Sequence, residues 1–218
     1  VTTAAPIKLA VISAGLGQPS STRLLADRLA EAVRQNLAGR DREVSTQVVE
    51  LRELAHPIAD NLVTGFAPSP LRSAVAAVTG ADAVIAVTPV FSASYSGLFK
   101  SFLDVIDNTA LAGMPVLVAA TGGTARHSLV LDHALRPLFS YLRAVVVPTG
   151  VYAATEDWGT AGTPDQSSLP ARIARAAGEL ADLVDGRPAR DRSAAGGAAS
   201  AGEFLPFEQQ LAALRPQE

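Results

Sequence analysis

Two regimes of hydrophobic patterning alternate along this chain. One is short unbroken apolar runs; the other is longer stretches with an apolar residue at every third or fourth position. Ile7–Ser13 is filled with β-branched and apolar residues and is followed by Gly15, which predicts a short buried strand. Ser20–Ala38 reads as a helix, with Leu25, Leu29, Val33 and Leu37 on one face and Gly39 placed to stop it. Glu43–Glu50 is a second strand, carried by Val44, Val48 and Val49. Arg52–Pro70 is polar and expected to be irregular, and Leu71–Val78 is a short helix closed by Gly80.

Ala83–Thr88 is the clearest buried strand, and Pro89 is expected to end it. Gly97–Asp107 forms the next helix, and Pro115–Ala120 is a fourth strand ahead of Gly122 and Gly123. Leu129–Leu142 has a helical pattern, but Pro137 inside it removes one backbone bond and predicts a kink. Ala144–Val147 is strand five. Leu169–Val184 is the last long helix, with Ile173, Ala177, Leu180 and Val184 on one face. Strand and helix thus alternate, and each strand is a near-continuous apolar run. That pattern belongs to an α/β fold, a doubly wound five-stranded parallel sheet covered on both sides by helices. After Asp185 the composition changes. Residues 186–203 are mostly Ala, Gly, Ser and Arg, as in a flexible linker, and 204–218 turn apolar again, as in a tail that docks on the body or on a partner protomer. Residues 1–185 are therefore expected to hold the function.

Composition narrows the chemistry. At 218 residues, 48% hydrophobic and a mean hydropathy of +0.23, the chain can bury a sizeable core. Its longest uninterrupted apolar run, Met114–Ala120, is far short of the roughly 20 residues that span a bilayer. Val1–Pro6 lacks the basic and apolar regions of a secretory signal, so a soluble cytoplasmic protein is expected. Cysteine is absent, which excludes disulfides, thiol nucleophiles and thiolate metal sites. The net charge is −3 and the arginines are scattered among acids, which argues against nucleic acid as the partner. His56, His127 and His133 lack metal-ligand spacing, and no Gly-x-Ser-x-Gly follows any strand.

In an open parallel sheet, ligands bind beyond the carboxyl ends of the strands, where strand order reverses. The segments after Ser13, Thr88 and Ala120 should therefore meet. The first, Ser13-Ala-Gly-Leu-Gly-Gln-Pro-Ser-Ser-Thr22, combines small residues with hydroxyls at a helix start, which suits a phosphate. Its Gly15-x-Gly17-x-x-Ser20 also resembles a dinucleotide fingerprint lacking the third glycine, with Glu50 as the ribose partner. A flavodoxin-type electron carrier is a further alternative, although carriers are usually more acidic than this chain.

The second segment weighs between the phosphate loop and the fingerprint, and the electron carrier and the dinucleotide-binding oxidoreductase stay open as alternatives. Pro89-Val-Phe-Ser-Ala-Ser-Tyr-Ser-Gly97, followed by Leu-Phe-Lys-Ser-Phe-Leu-Asp104, resembles the NAD(P)H-dependent FMN reductase family of the flavodoxin-like superfamily. Pro89, Ser94, Gly97, Lys100, Leu103 and Asp104 stand in register with that family's motif. Phe91 replaces its tyrosine, Ser92 and Ser101 its asparagines and Ser96 its second proline. Ser13 and Ser20-x-Thr22 match its phosphate loop, with Gly17 where many members carry arginine. Thr121-Gly-Gly-Thr124 matches its turn beside the flavin ring.

The resemblance implies strand order 2-1-3-4-5, an FMN cofactor and NADPH or NADH as hydride donor. It also implies an acceptor such as a partner monooxygenase, a quinone or oxygen, and assembly as a homodimer or tetramer. Ser13, Gln18, Ser20, Ser21 and Thr22 are then expected to hold the phosphate. Pro89, Val90, Phe91, Ser92, Ala93 and Ser94 would line one ring edge, and Thr121, Gly122, Gly123 and Thr124 the other. No catalytic acid or base is named, because the flavin carries the chemistry. Lys100 and Asp104, four apart on a helix, read as a surface ion pair, and Tyr95 and Tyr141 as packing residues. Arg126 and His127 follow the Gly-Gly turn closely enough to touch a ligand.

Overall fold

The computed structural model describes residues 5–159 and 167–186. The expected linker and tail, apart from Gly186, lie outside the described residues. Five positions of a parallel sheet are filled in the order β2 (Val44–Glu50), β1 (Ile7–Ser13), β3 (Ala83–Phe91), β5 (Pro115–Gly122), then β6 (Val145–Val146) and β7 (Val151–Ala154). A two-residue strand, β4 (Ser94–Tyr95), folds back antiparallel on the end of β3.

The strands alternate their side chains between two apolar layers. Leu9, Val11, Ile85 and Val87 pack beneath α1 (Ser21–Ala38) and α6 (Leu169–Asp185). Ala10, Ile12, Val84 and Ala86 face the opposite layer, built by α2 (Ala55–Thr64), α3 (Ser69–Thr79), α4 (Gly97–Val105) and α5 (Arg136–Tyr141). The doubly wound arrangement is that of the flavodoxin-like fold, as expected. Among the described residues, no helix is long and apolar enough to cross a membrane.

Four expectations need correction. Arg52–Pro70 is not irregular: Leu51–Leu54 forms a tight helical turn that leads into α2, and the chain is helical to Thr64. Leu51, Leu54 and Ile58 form a buried stripe at helical spacing, and Pro57 sits in the first turn of α2, where a missing N–H costs nothing. Pro89 does not end β3. Its fixed φ is compatible with extended chain, it pairs in register with Thr121, and the strand continues to Phe91. Strand five is split: Val145–Val146 and Val151–Ala154 both pair with β5, on either side of a break at 147–150. Finally, Leu129–Leu142 is not one α-helix. Leu131–Leu135 is a wider, π-type turn and α-helix resumes at Arg136. The wide turn gives the Pro137 ring room against the preceding turn, the clash that kinks an ordinary helix.

Candidate functional site

The first loop leaves β1 at Ser13, which is buried between Glu50 of β2 and Val87 of β3 in the sheet register. Its Oγ has no hydrogen-bond partner among the described residues. Ser20 caps α1, its Oγ accepting from the Arg23 N–H at 3.2 Å. A side chain at Gly15 would displace the capping Ser20 hydroxyl, because a Cβ there would lie 2.0 Å from the Ser20 Oγ. Loop backbone and helix start are thus pressed together. Thr22 is buried, and its Oγ1 shares a 2.8 Å hydrogen bond with Thr121 Oγ1 at the end of β5. That bond ties the first loop to the third across 99 residues. Ser21 and Gln18 are exposed on the loop's outer side.

The second segment, read as a serine-rich loop, is a β-hairpin. Val90 pairs with Tyr95 and Phe91 with Ser94, leaving Ser92 and Ala93 as the two corner residues. Both have positive φ, 49° and 66°, the conformation of the tight corner that suits a twisted two-residue hairpin. For residues other than glycine this conformation costs roughly 1–2 kcal/mol each. The hairpin base offsets that cost. Thr88 Oγ1 accepts from the Ser96 N–H and donates to the Pro89 carbonyl, each at 3.0 Å. Ser96 Oγ accepts from the Phe99 N–H at 3.2 Å, capping α4. The tip holds Phe91 48% exposed beside Ser92 and Ala93. Thr88 and Ser96 were missed at the sequence level. The signal for Ser96 was available, since it stands immediately before the glycine that opens a helix.

The third segment is anchored from both ends. The Thr121 side chain holds Thr22, and the Thr124 carbonyl accepts a 2.8 Å hydrogen bond from the Tyr152 hydroxyl on β7. Pro89 and Thr121 are register partners, so the second and third segments lie side by side. The Tyr152 hydroxyl titrates above its ordinary range, first because it is buried and then because Asp157 and Glu156 are nearby. No sequence signal marked Tyr152, since the strand that carries it was itself missed. Arg126 and His127 are exposed just beyond this turn, and Lys100 and Asp104 form the expected ion pair at 2.5 Å.

On the β2 side of the first loop, the Arg23 guanidinium bonds both Asp27, at 2.7 Å, and Glu50. These two hydrogen bonds hold its pKa above the ordinary value. Glu50 is therefore engaged, and a dinucleotide ribose would have to displace an arginine to use it. Arg52 donates to the Leu16 carbonyl at 3.4 Å, and a cleft of about 210 Å³ separates these groups from Gly15, Gly17 and Gln18.

The residues present fit an FMN. An unpaired buried hydroxyl and a capped helix start suit its phosphate and ribityl end. An exposed aromatic hairpin tip and a glycine turn on neighbouring strands suit a flat ring.

The family model for NADPH-dependent FMN reductase matches residues 7–159. The FMN reductase (NADPH) of Pseudomonas aeruginosa is 40% identical over 84% of this chain and 95% of its own length. The NADH-dependent FMN reductase SfnF of Pseudomonas fluorescens is 39% identical over 82% of this chain and 92% of its own. The solved structure of an oxidoreductase from Corynebacterium diphtheriae superposes with a TM-score of 0.80, at 50% identity, covering 85% of this chain and all of that one. The chain belongs to the NADPH-dependent FMN reductase family, oxidoreductases that pass hydride from NADPH or NADH to FMN.

Proposed function

We propose that the reductase holds FMN across the carboxyl ends of β1, β3 and β5, in the angle between the three segments just described. The observation that carries this is their convergence: Thr22 bonds Thr121, Pro89 pairs with Thr121, and the buried Ser13 hydroxyl lies unpaired where the first loop begins. The flavin, when bound, supplies the two-electron chemistry by accepting hydride from the nicotinamide. The chain's residues position it. Ser20 and the free amides of the α1 start face the phosphate, where the helix dipole favours negative charge. Phe91 and the hairpin tip cover one edge of the ring, and the Gly122–Thr124 turn the other. A Cβ at Gly123 would meet no protein atom within 4 Å, so glycine there leaves that space to the ring.

The wider role follows the family. The reduced flavin serves an acceptor, of which a partner monooxygenase in the cytoplasm fits a small FMN reductase best, and the enzyme works as a homodimer or tetramer. The experiment is anaerobic mixing of the FMN-loaded enzyme with NADPH or NADH, comparing the wild type with Ser94→Val. The wild-type flavin absorbance should bleach. The branched side chain at the hairpin should slow bleaching or shift the bound spectrum at an unchanged melting temperature. Unchanged spectrum, affinity and rate in Ser94→Val would remove the hairpin from the site.

A further inference from the structure

We infer that Tyr152 is a positioning residue for the flavin, acting through the Gly122–Thr124 turn. The inference rests on the reading that this turn borders the ring. Tyr152 is buried in the apolar layer beneath α2–α5, so its ring is fixed by packing, and its hydroxyl meets the Gly122–Thr124 turn. That hydroxyl donates to the Thr124 carbonyl at 2.8 Å. It also occupies the space a side chain on Gly122 would need, since a Cβ there would lie 2.0 Å from the Tyr152 Oη and 3.1 Å from Cζ. Gly122 is thus matched to a tyrosine and not merely to a turn.

The strand beneath the tyrosine is itself secured. Register pairs Ala120 with Tyr152 and Gly122 with Ala154. From α6, Arg172 donates to the Tyr152 carbonyl and pairs with Asp157 at 2.6 Å. The Asp157 carboxylate in turn accepts from the Ala154 N–H at 2.8 Å. Residues from α6, from β7 and from the turn after it thus hold the backbone that carries Tyr152. The Thr22–Thr121 bond fixes the near end of the turn and Tyr152 fixes the far end. Glycines between two such anchors would otherwise sample many conformations.

The test compares Tyr152→Phe, Gly122→Ala, the double variant and Gly123→Val. Phenylalanine keeps the buried ring, so the fold should survive. Loss of one hydrogen bond should raise the FMN dissociation constant by about two- to tenfold, move the absorption bands of bound flavin and lower the melting temperature by no more than about a few degrees. Gly122→Ala alone should weaken FMN binding more than it does in the Tyr152→Phe background, where the clashing oxygen is gone. Additive effects of the two changes, or an unchanged flavin spectrum in Tyr152→Phe, would overturn the inference. Gly123→Val reports on the underlying reading separately. If it perturbs FMN while Tyr152→Phe does not, the turn borders the flavin and Tyr152 does not position it. If Gly123→Val leaves FMN untouched, the turn lies elsewhere and the inference falls with that reading.

Discussion

Individual hydroxyls do the joining in this site, and those of Thr22 and Tyr152 act through partners remote in sequence. The Thr22–Thr121 pair is the plainest case: two buried side chains, one hydrogen bond, two loops held together. Replacing one threonine by valine leaves the other hydroxyl buried without a partner, which costs about 1–3 kcal/mol. Replacing both removes that penalty, so the double variant should lose less stability than the two single changes added together. Denaturant unfolding of the four proteins measures this, and strict additivity would mean the hydroxyls do not interact. Residues of this kind divide by how they were legible. Ser13, Ser20 and the Gly-Gly turn stood out because hydroxyls and glycines cluster along the chain there. Thr88 and Tyr152 did not, because the groups they hold are backbone atoms brought near only by the folded sheet.

Elements were legible where burial is two-sided. Ile7–Ser13 and Pro115 onward read as strands because both faces are apolar, and they hold the centre of the sheet. Legibility failed where the signal was short or carried a proline. The stripe Leu51, Leu54 and Ile58 spans only two turns and has Pro57 within it, so a helix passed for a loop. Val151–Ala154 offers four residues after a glycine, too few to stand out, yet it carries Tyr152. The hairpin after β3 was hidden because its corner, Ser92-Ala93, lacks the asparagine or glycine that usually marks such a turn. That gives an element-scale prediction. Ala93→Val should destabilise the protein by about 1–2 kcal/mol, because a β-branched residue tolerates positive φ poorly. Ala93→Gly should be at least as stable as the wild type. Thermal unfolding should order them glycine, alanine, valine, separated by a few degrees. A valine variant as stable as the wild type would contradict the left-handed corner.

At the scale of the whole molecule, membership of the FMN reductase family and the proposed convergence of three segments over the sheet leave little room for the dinucleotide-fingerprint reading. Glu50, the acid that reading needs, is spent on Arg23. The surface also carries Leu62, Val63 and Phe66 at the end of α2, with Val63 87% exposed. An apolar cluster of that kind favours association, so light scattering at micromolar concentration should find a dimer or tetramer. A monomer would contradict it. The central claim, that the loop after Ser13 holds the FMN phosphate, is tested most directly by comparing FMN with riboflavin, which lacks that phosphate. Binding of both should be measured by flavin fluorescence in the wild type and in Ser20→Ala. The account predicts that Ser20→Ala weakens FMN by about 1–2 kcal/mol, roughly five- to thirtyfold, and leaves riboflavin unchanged. Equal losses for both flavins would place the phosphate elsewhere and contradict it.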